Sequence, residues 1–425
     1  MLQPIENNVS PFRFWVLLAN SLAYMAFAVA YQLTTALGSF VDLDFTSESY
    51  DTALLATACM LGFVIGPLGS GRINALLGPR CNVPLWLIIL AVVSLLFIPC
   101  HESFPALLFI RVCQGICGGM MVASIVGSVN AWFPYGEAGI ATGFTMGSMG
   151  LGFGLAQAIA VAFAGANLPW YTLTAYTTSV LALAVATVYG ITVRDFESRY
   201  PGFSKINQII ARDISGQKTA DVRRARHAED YVVPVGIAGF LRTSMFWAMA
   251  GFGFIKSSLT CGLALVLPQF LAFETTASLS WGALTSGLAF VTTAAAAPLG
   301  GLLSRILFKG LRYPVMCFGA MISAVTLACV GFAHTLPLLL VLYILGYAST
   351  ALGTGVYWSL STEIVAPATA PRASALLTAI ANMGGTFAPL LLAAIATVGH
   401  SYLPCFVILA VLSLIQFACA WYIAR

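Results

Sequence analysis

The sequence predicts an all-α polytopic membrane protein, with twelve transmembrane helices in two pseudo-symmetric six-helix bundles. Three observations carry that expectation. Hydrophobic residues make up 60% of the 425 and charged residues only 8%, where a soluble domain carries roughly a quarter charged residues. The apolar residues fall in blocks of about 20, the length a helix needs to cross about 30 Å of hydrocarbon. One long polar segment divides six blocks from six, and short motifs repeat between the two groups.

Taken in order, the first span covers 14–36 and opens with FWVLLANSLAYMAFAVAYQL; it is too long for a signal-peptide core and is followed by no small-residue cleavage site. Spans at 52–71 and 83–100 follow, the latter centred on LWLIILAVVSLLFI. The fourth, 105–128, contains LFIRVCQGICGGMM, in which Arg111 interrupts an apolar run. The fifth, 138–162, carries glycines at 143, 147, 150 and 154, and the sixth covers 171–192. Residues 193–235 form the polar linker, within which INQIIARDI has the pattern of a short amphipathic surface helix. The remaining spans are 243–267, 281–304, 313–333, 336–359, 373–397 and 402–424. The expected units are therefore 1–192, the linker 193–235, and 236–425.

Basic residues set the orientation, since cytoplasmic loops hold an excess of Lys and Arg. Arg72 and Arg80 fall between spans 2 and 3, Arg305, Lys309 and Arg312 between 8 and 9, and Arg372 between 10 and 11. The linker adds eight more, whereas the opposite loops contain none and the first of them carries Asp42, Asp44, Glu48 and Asp51. Both termini are expected in the cytoplasm, with the chain multi-pass in the cell (inner) membrane. The net charge of +4 reflects this sidedness and gives no sign of nucleic-acid binding.

The ten cysteines lie mostly within spans and offer no disulfide framework. Cys113 and Cys117, one turn apart without acidic or His neighbours, read as small core residues. No metal site or cofactor is expected. No phosphate-binding loop of the kind that ends in Lys-Ser or Lys-Thr occurs, so direct ATP drive is not indicated.

The two groups of six repeat. IGPLGSGRINALLGPR at 65–80 aligns with AAPLGGLLSRILFKGLR at 296–312, and AGIATGFTMGSMGLGF at 138–153 with RASALLTAIANMGGTF at 372–387; the offsets, 231 and 234, nearly agree. Parallel six-span repeats are one transporter architecture. The chain resembles a major facilitator superfamily transporter over its whole length. Gly71-Arg72-Ile73-Asn74-Ala75-Leu76-Leu77-Gly78-Pro79-Arg80 resembles the superfamily's loop signature, which has Asp where Ala75 stands and Arg where Leu76 stands. The second copy keeps Arg305 but has Ser304 at the acidic position. In the family that acid latches the helix ends in one conformation, so here glycine packing is expected to carry more of the task. Arg111-Val112-Cys113-Gln114-Gly115 resembles the fourth-helix signature, and Trp132-Phe133-Pro134 is also superfamily-like.

Candidate site residues follow. Of 19 Lys and Arg, only Arg111 and Lys256 fall at membrane depth, while all 15 Asp and Glu fall in loops or at helix ends. Such cations usually face a bundle interior or an aqueous cavity. The resemblance places spans 1, 4, 7 and 10 around a central cavity, so it implies that both charges face it. Arg111 also has a second reading, as a cap on backbone carbonyls that braces the bundle. Asn20, Tyr24 and Tyr31 share a face of span 1, Tyr343 and Tyr347 are a turn apart in span 10, and Gln114 follows Arg111. Tyrosine hydroxyls donate to anions while their rings exclude water. Gly147 and Gly150 belong to a small-residue stripe that lets helices approach and slide.

The expected function is transport of a small organic or inorganic anion by exchange or uniport, by alternating access in a monomer embedded in the lipid bilayer. Without an intramembrane carboxylate to carry a proton, obligatory proton coupling is not expected. The alternatives are a neutral or zwitterionic metabolite such as an amino acid, a copper importer, or a sensor that binds ligand without transport. Met245 and Met249 resemble half of the superfamily's copper motif, but its His-xxx-Met partner is absent from span 8, so they read as core. Span 5 lacks the Gly-Pro pair of the drug:proton antiporters. GSMGLGFG and NMGG resemble segments of nitrate/nitrite and oxalate:formate porters, although spans 2 and 8 lack the nitrate porters' arginines. No His/Asp/Glu cluster occurs at membrane depth, so the chain is not expected to be an enzyme.

Overall fold

The computed structural model describes residues 11–38, 41, 50–133, 135–163, 168–194, 236–274, 279–308, 311–330, 332–333, 335–365, 370–399 and 401–424. Beyond residues 193 and 194 the linker, with its amphipathic segment, lies outside the described residues.

Among the described residues, twelve long helices carry the fold. They are α1 (Phe12–Ala36), α2 (Asp51–Ser70), α3 (Leu76–Cys100), α4 (Phe104–Trp132), α5 (Tyr135–Phe163) and α6 (Trp170–Thr192). After a short turn at Ile237–Leu241 come α7 (Ser244–Glu274), α8 (Leu279–Ile306), α9 (Tyr313–Val330), α10 (Leu336–Ser361), α11 (Ala370–Gly399) and α12 (Leu403–Ala424). Among the described residues, eleven helices are long and apolar enough to cross a membrane, α7 being the one outside that set. Every backbone polar group in hydrocarbon needs a partner within the protein, which helices supply from their own segment.

The connection between α2 and α3 is tighter than the sequence suggests. Helix runs from Tyr50 to Leu95 with a break at Gly78, in the first turn of α3, where φ is 68° and ψ is 163°. Only glycine adopts that backbone readily, and Pro79 cannot continue the preceding helix, so the expected loop is an elbow. Side chains fasten it to α4: Ser124 Oγ donates to Asn74 Oδ1 at 2.7 Å, and Asn82 Nδ2 donates to Ser124 Oγ. On the other half, Ser304 at the family's acidic position donates to the Leu311 carbonyl at 2.8 Å and closes the α8–α9 turn.

Packing repeats with helix number shifted by six. α1 packs on α5 and α7 on α11, α3 on α6 and α9 on α12, α2 on α4 and α8 on α10. Glycine makes several of these contacts possible. A Cβ on Gly115 would strike the Cys59 carbonyl of α2, and one on Gly384 would strike the Phe254 carbonyl of α7. Met245 and Met249 lie buried in the main hydrophobic core, and Arg13 pairs with Glu137 at 2.9 Å to join the starts of α1 and α5.

Among the described residues, the two halves meet along two main seams, α5 against α8 with part of α10, and α2 against α11. Hydrogen bonds across the second are long: Thr57 Oγ1 to the Thr386 carbonyl and Asn382 Nδ2 to the Phe63 carbonyl, each 3.4 Å.

Candidate functional site

Arg111 is fully buried near the start of α4. Its Nε donates to the Leu55 carbonyl at 3.2 Å, Nη1 to the Ala30 carbonyl at 3.0 Å and to Gln114 Oε1 at 2.9 Å, and Nη2 to the Tyr31 carbonyl at 2.8 Å. Gln114 in turn donates to Ser94 Oγ at 2.8 Å. Four of the five N–H donors a guanidinium owns are thus spent on α1, α2 and the next turn of α4. In this conformation Arg111 and Gln114 tie α4 to α1, α2 and α3, the arrangement of the bracing reading.

Asn20 and Tyr343 are also engaged within their own halves. Asn20 Nδ2 donates to the Val16 carbonyl and Ser128 Oγ, and its Oδ1 accepts from the Tyr189 hydroxyl at 3.0 Å. The Tyr343 hydroxyl donates to the Leu263 carbonyl at 2.9 Å, joining α10 to α7. Their helical spacing with Tyr24 and Tyr347 is real, but the polar ends serve packing.

The other four expected residues come together at the meeting of the halves. Lys256 stands near the middle of α7, partly exposed, with Cys261 as its electrostatic neighbour. Its ammonium makes no hydrogen bond or ion pair among the described residues; only its backbone carbonyl is used, accepting from Thr260 at 3.0 Å. One and a half turns along α7, Cys261 links the group: Lys256, Tyr24, Tyr31 and Tyr347 all lie within its electrostatic reach, and the Tyr31 hydroxyl contacts its thiol. Tyr31 joins this group to the brace, because the Arg111 guanidinium sits 5.6 Å from its ring centroid.

Aromatic rings continue from one half to the other. Tyr31 lies 5.6 Å from Phe153, Phe153 5.3 Å from Phe290, Phe290 5.4 Å from Tyr347, and Tyr347 6.0 Å from Tyr343. Edge and tilted contacts dominate, the geometry ring quadrupoles favour. Sequence reasoning missed Cys261, Phe153 and Phe290. A phenylalanine in a membrane helix carries no mark of its own, and the only available signal was that Phe153 interrupts the glycine stripe of α5.

That stripe forms the α5–α8 seam. A Cβ on Gly147 would sit 3.0 Å from the Ala294 Cα, and one on Gly150 would collide with Thr293 and the Phe290 carbonyl. Gly143 faces Ala297 and Pro298, while Gly139 meets Gly301 and Gly355. Of the other residues expected to shape the motion, Gly78 makes the elbow, Gly71 and Arg72 lie on the helical run before it, and Arg80 is exposed after it. Arg305 is exposed in the last turn of α8, where the helix dipole favours a cation.

The arrangement has known counterparts. Residues 16–265 match the Major Facilitator Superfamily, and the chain belongs to that family. It is a transporter of small solutes that works by alternating access, not an enzyme. Among solved structures it is similar to the proton:xylose symporter XylE bound to 6-bromo-6-deoxy-D-glucose, at 14% identity and a TM-score of 0.77 over 98% of this chain and 97% of that one. A bacterial homologue of the human lysosomal transporter Spinster, inward-facing and occupied, is 16% identical with a TM-score of 0.64 over 98% and 97%. FucP in the outward conformation is 14% identical with a TM-score of 0.65 over 96% and 98%. No curated protein matches the chain.

Proposed function

We propose that this transporter carries a small organic or inorganic anion, by exchange or uniport, with Lys256 as the countercharge in the central site. The observation that supports this is the Lys256 ammonium, unpartnered among the described residues and near Cys261, which Tyr31 of the other half contacts. A desolvated cation is costly unless paired, and a bound anion is the partner that offsets the cost. Tyr24, Tyr31 and Tyr347 complete the site as hydroxyl donors and walls. A zwitterion is less well served, because no described carboxylate lies beside Lys256 to meet its ammonium. Both halves contribute walls, so one chain is a complete transporting unit. The basic loops orient it with both termini in the cytoplasm, in the cell membrane.

Reconstituted into liposomes loaded with substrate anions, the protein should exchange them without an imposed pH gradient. Lys256→Met should reduce exchange at least tenfold while retaining a cooperative thermal melt. A strict requirement for an inward proton gradient, or wild-type exchange by Lys256→Met, would overturn this reading.

A further inference from the structure

We infer that the anion is a monocarboxylate or similar monoanion carrying a flat apolar body, most simply an aromatic ring. This rests on the anion reading above and adds two independent restrictions, one from charge and one from the walls.

The charge restriction comes from Arg111. The sequence places two cations, Arg111 and Lys256, at membrane depth with no countercharge beside them. The structure removes one of them. Arg111 is enclosed by three backbone carbonyls and Gln114, with none of its surface exposed. Of these two, the Lys256 ammonium is the one left for a ligand. A dianion in this space would carry a second charge into low dielectric with no cation to meet it, a state that buried charges avoid.

The wall restriction comes from the rings. Small strongly hydrated anions need donors on several sides to replace their water. Beyond the lysine, the donors that the described residues gather around Cys261 are the hydroxyls of Tyr24, Tyr31 and Tyr347 and the thiol itself, and Tyr31 and Cys261 contact one another. What surrounds them is aromatic. Tyr31, Phe153, Phe290 and Tyr347 form an unbroken series of ring contacts from α1 to α10. Nearby, Tyr24 stacks on Phe27 and Phe27 on Phe63 at 5.0 Å. Such walls gain by removing apolar surface from water and by edge contacts to another ring. A charged head at Lys256 with a planar body among the rings satisfies both restrictions.

The test is a matched set of probes binding to purified wild-type protein and to Lys256→Met, read by titrated thermal stabilisation, since a ligand of the folded state raises the melting temperature. Benzoate has one charge and a ring, acetate the charge alone, isophthalate a ring with two charges, and benzamide the ring without charge. Benzoate should bind wild type at least tenfold more tightly than the other three, and Lys256→Met should bring benzoate down to benzamide. Phe290→Ala should weaken benzoate severalfold and leave acetate unchanged. Acetate equal to benzoate, or isophthalate tighter, with dependence on Lys256 retained, would overturn this inference and leave the anion reading standing. Benzamide equal to benzoate with Lys256→Met indifferent would overturn both. No benzoate binding by protein with a cooperative melt would overturn the inference.

Discussion

Arg111 and Lys256 differ by what surrounds each charge. Both are cations in apolar helices, and the linear sequence makes them equivalent. The guanidinium is planar, with donors fixed in a fork, so it reaches carbonyls of two neighbouring helices at once; the ammonium of Lys256 has no such partners among the described residues. Removing Arg111 would take the donor from buried Gln114 Oε1, at about 1–3 kcal/mol for a group left without a partner, and the second donor from the helical carbonyls of Ala30, Tyr31 and Leu55. Arg111→Met should therefore lower the melting temperature and the yield of folded protein. Arg111→Lys should recover only part of the loss, because three donors on one nitrogen cannot reproduce the fork. If Arg111→Met melts like wild type but no longer binds any anion, the arginine belongs to the substrate site after all. Whether a membrane arginine is free or spent depends on which carbonyls approach it from other helices, and nothing in residues 108–121 encodes that. Asn20 and Tyr343 were opaque for the same reason: period fixes the face of a helix, but not which neighbour occupies it.

Helices and their order were far more legible, because bilayer thickness sets a length that apolar runs must meet. The elbow at Gly78 was the exception, since a single left-handed glycine joins two helices that a charged, proline-containing segment makes look looped. The stripe on α5 was legible as a close contact, but its partner was not; the structure assigns it α8, across the seam between halves. Position dictates consequence here. A leucine at Gly147 places its Cβ against the Ala294 backbone, so the seam must widen or the side chain must strain, at about 1–3 kcal/mol. Gly147→Leu should still fold and insert, because each half keeps its own internal packing, but it should be stalled in one conformation. Labelling of cysteines introduced at the two mouths of the central space, with and without transported anion, should then report access from one side only. Two-sided labelling with normal transport would mean the α5–α8 contact does not bear on the motion.

For the whole molecule, alternating access requires two rigid halves joined by surfaces that part easily. The contrast between interior and seam fits that need. Within the halves, side chains bind helix to helix at ordinary distances, as in Arg111 to α1 and α2 or Tyr343 to α7. Between them, the α2–α11 seam has hydrogen bonds of 3.4 Å, at the weak end of the range, and small apolar contacts such as Ala53 on Ala393. Such a seam costs little to open, and a covalent tie across it should arrest the cycle. The expected experiment pairs Ala53→Cys with Ala393→Cys in a background where the exposed Cys81 and Cys329 are serine. Oxidation should join the new cysteines and stop anion exchange, reduction should restore it, and either single substitution should exchange normally throughout. Cross-linked protein, verified on a gel, that still exchanges at the rate of the reduced form would show that α2 and α11 stay together at Ala53 throughout the cycle. The moving surface would then have to lie elsewhere, with the α5–α8 seam as the remaining extended contact between the halves.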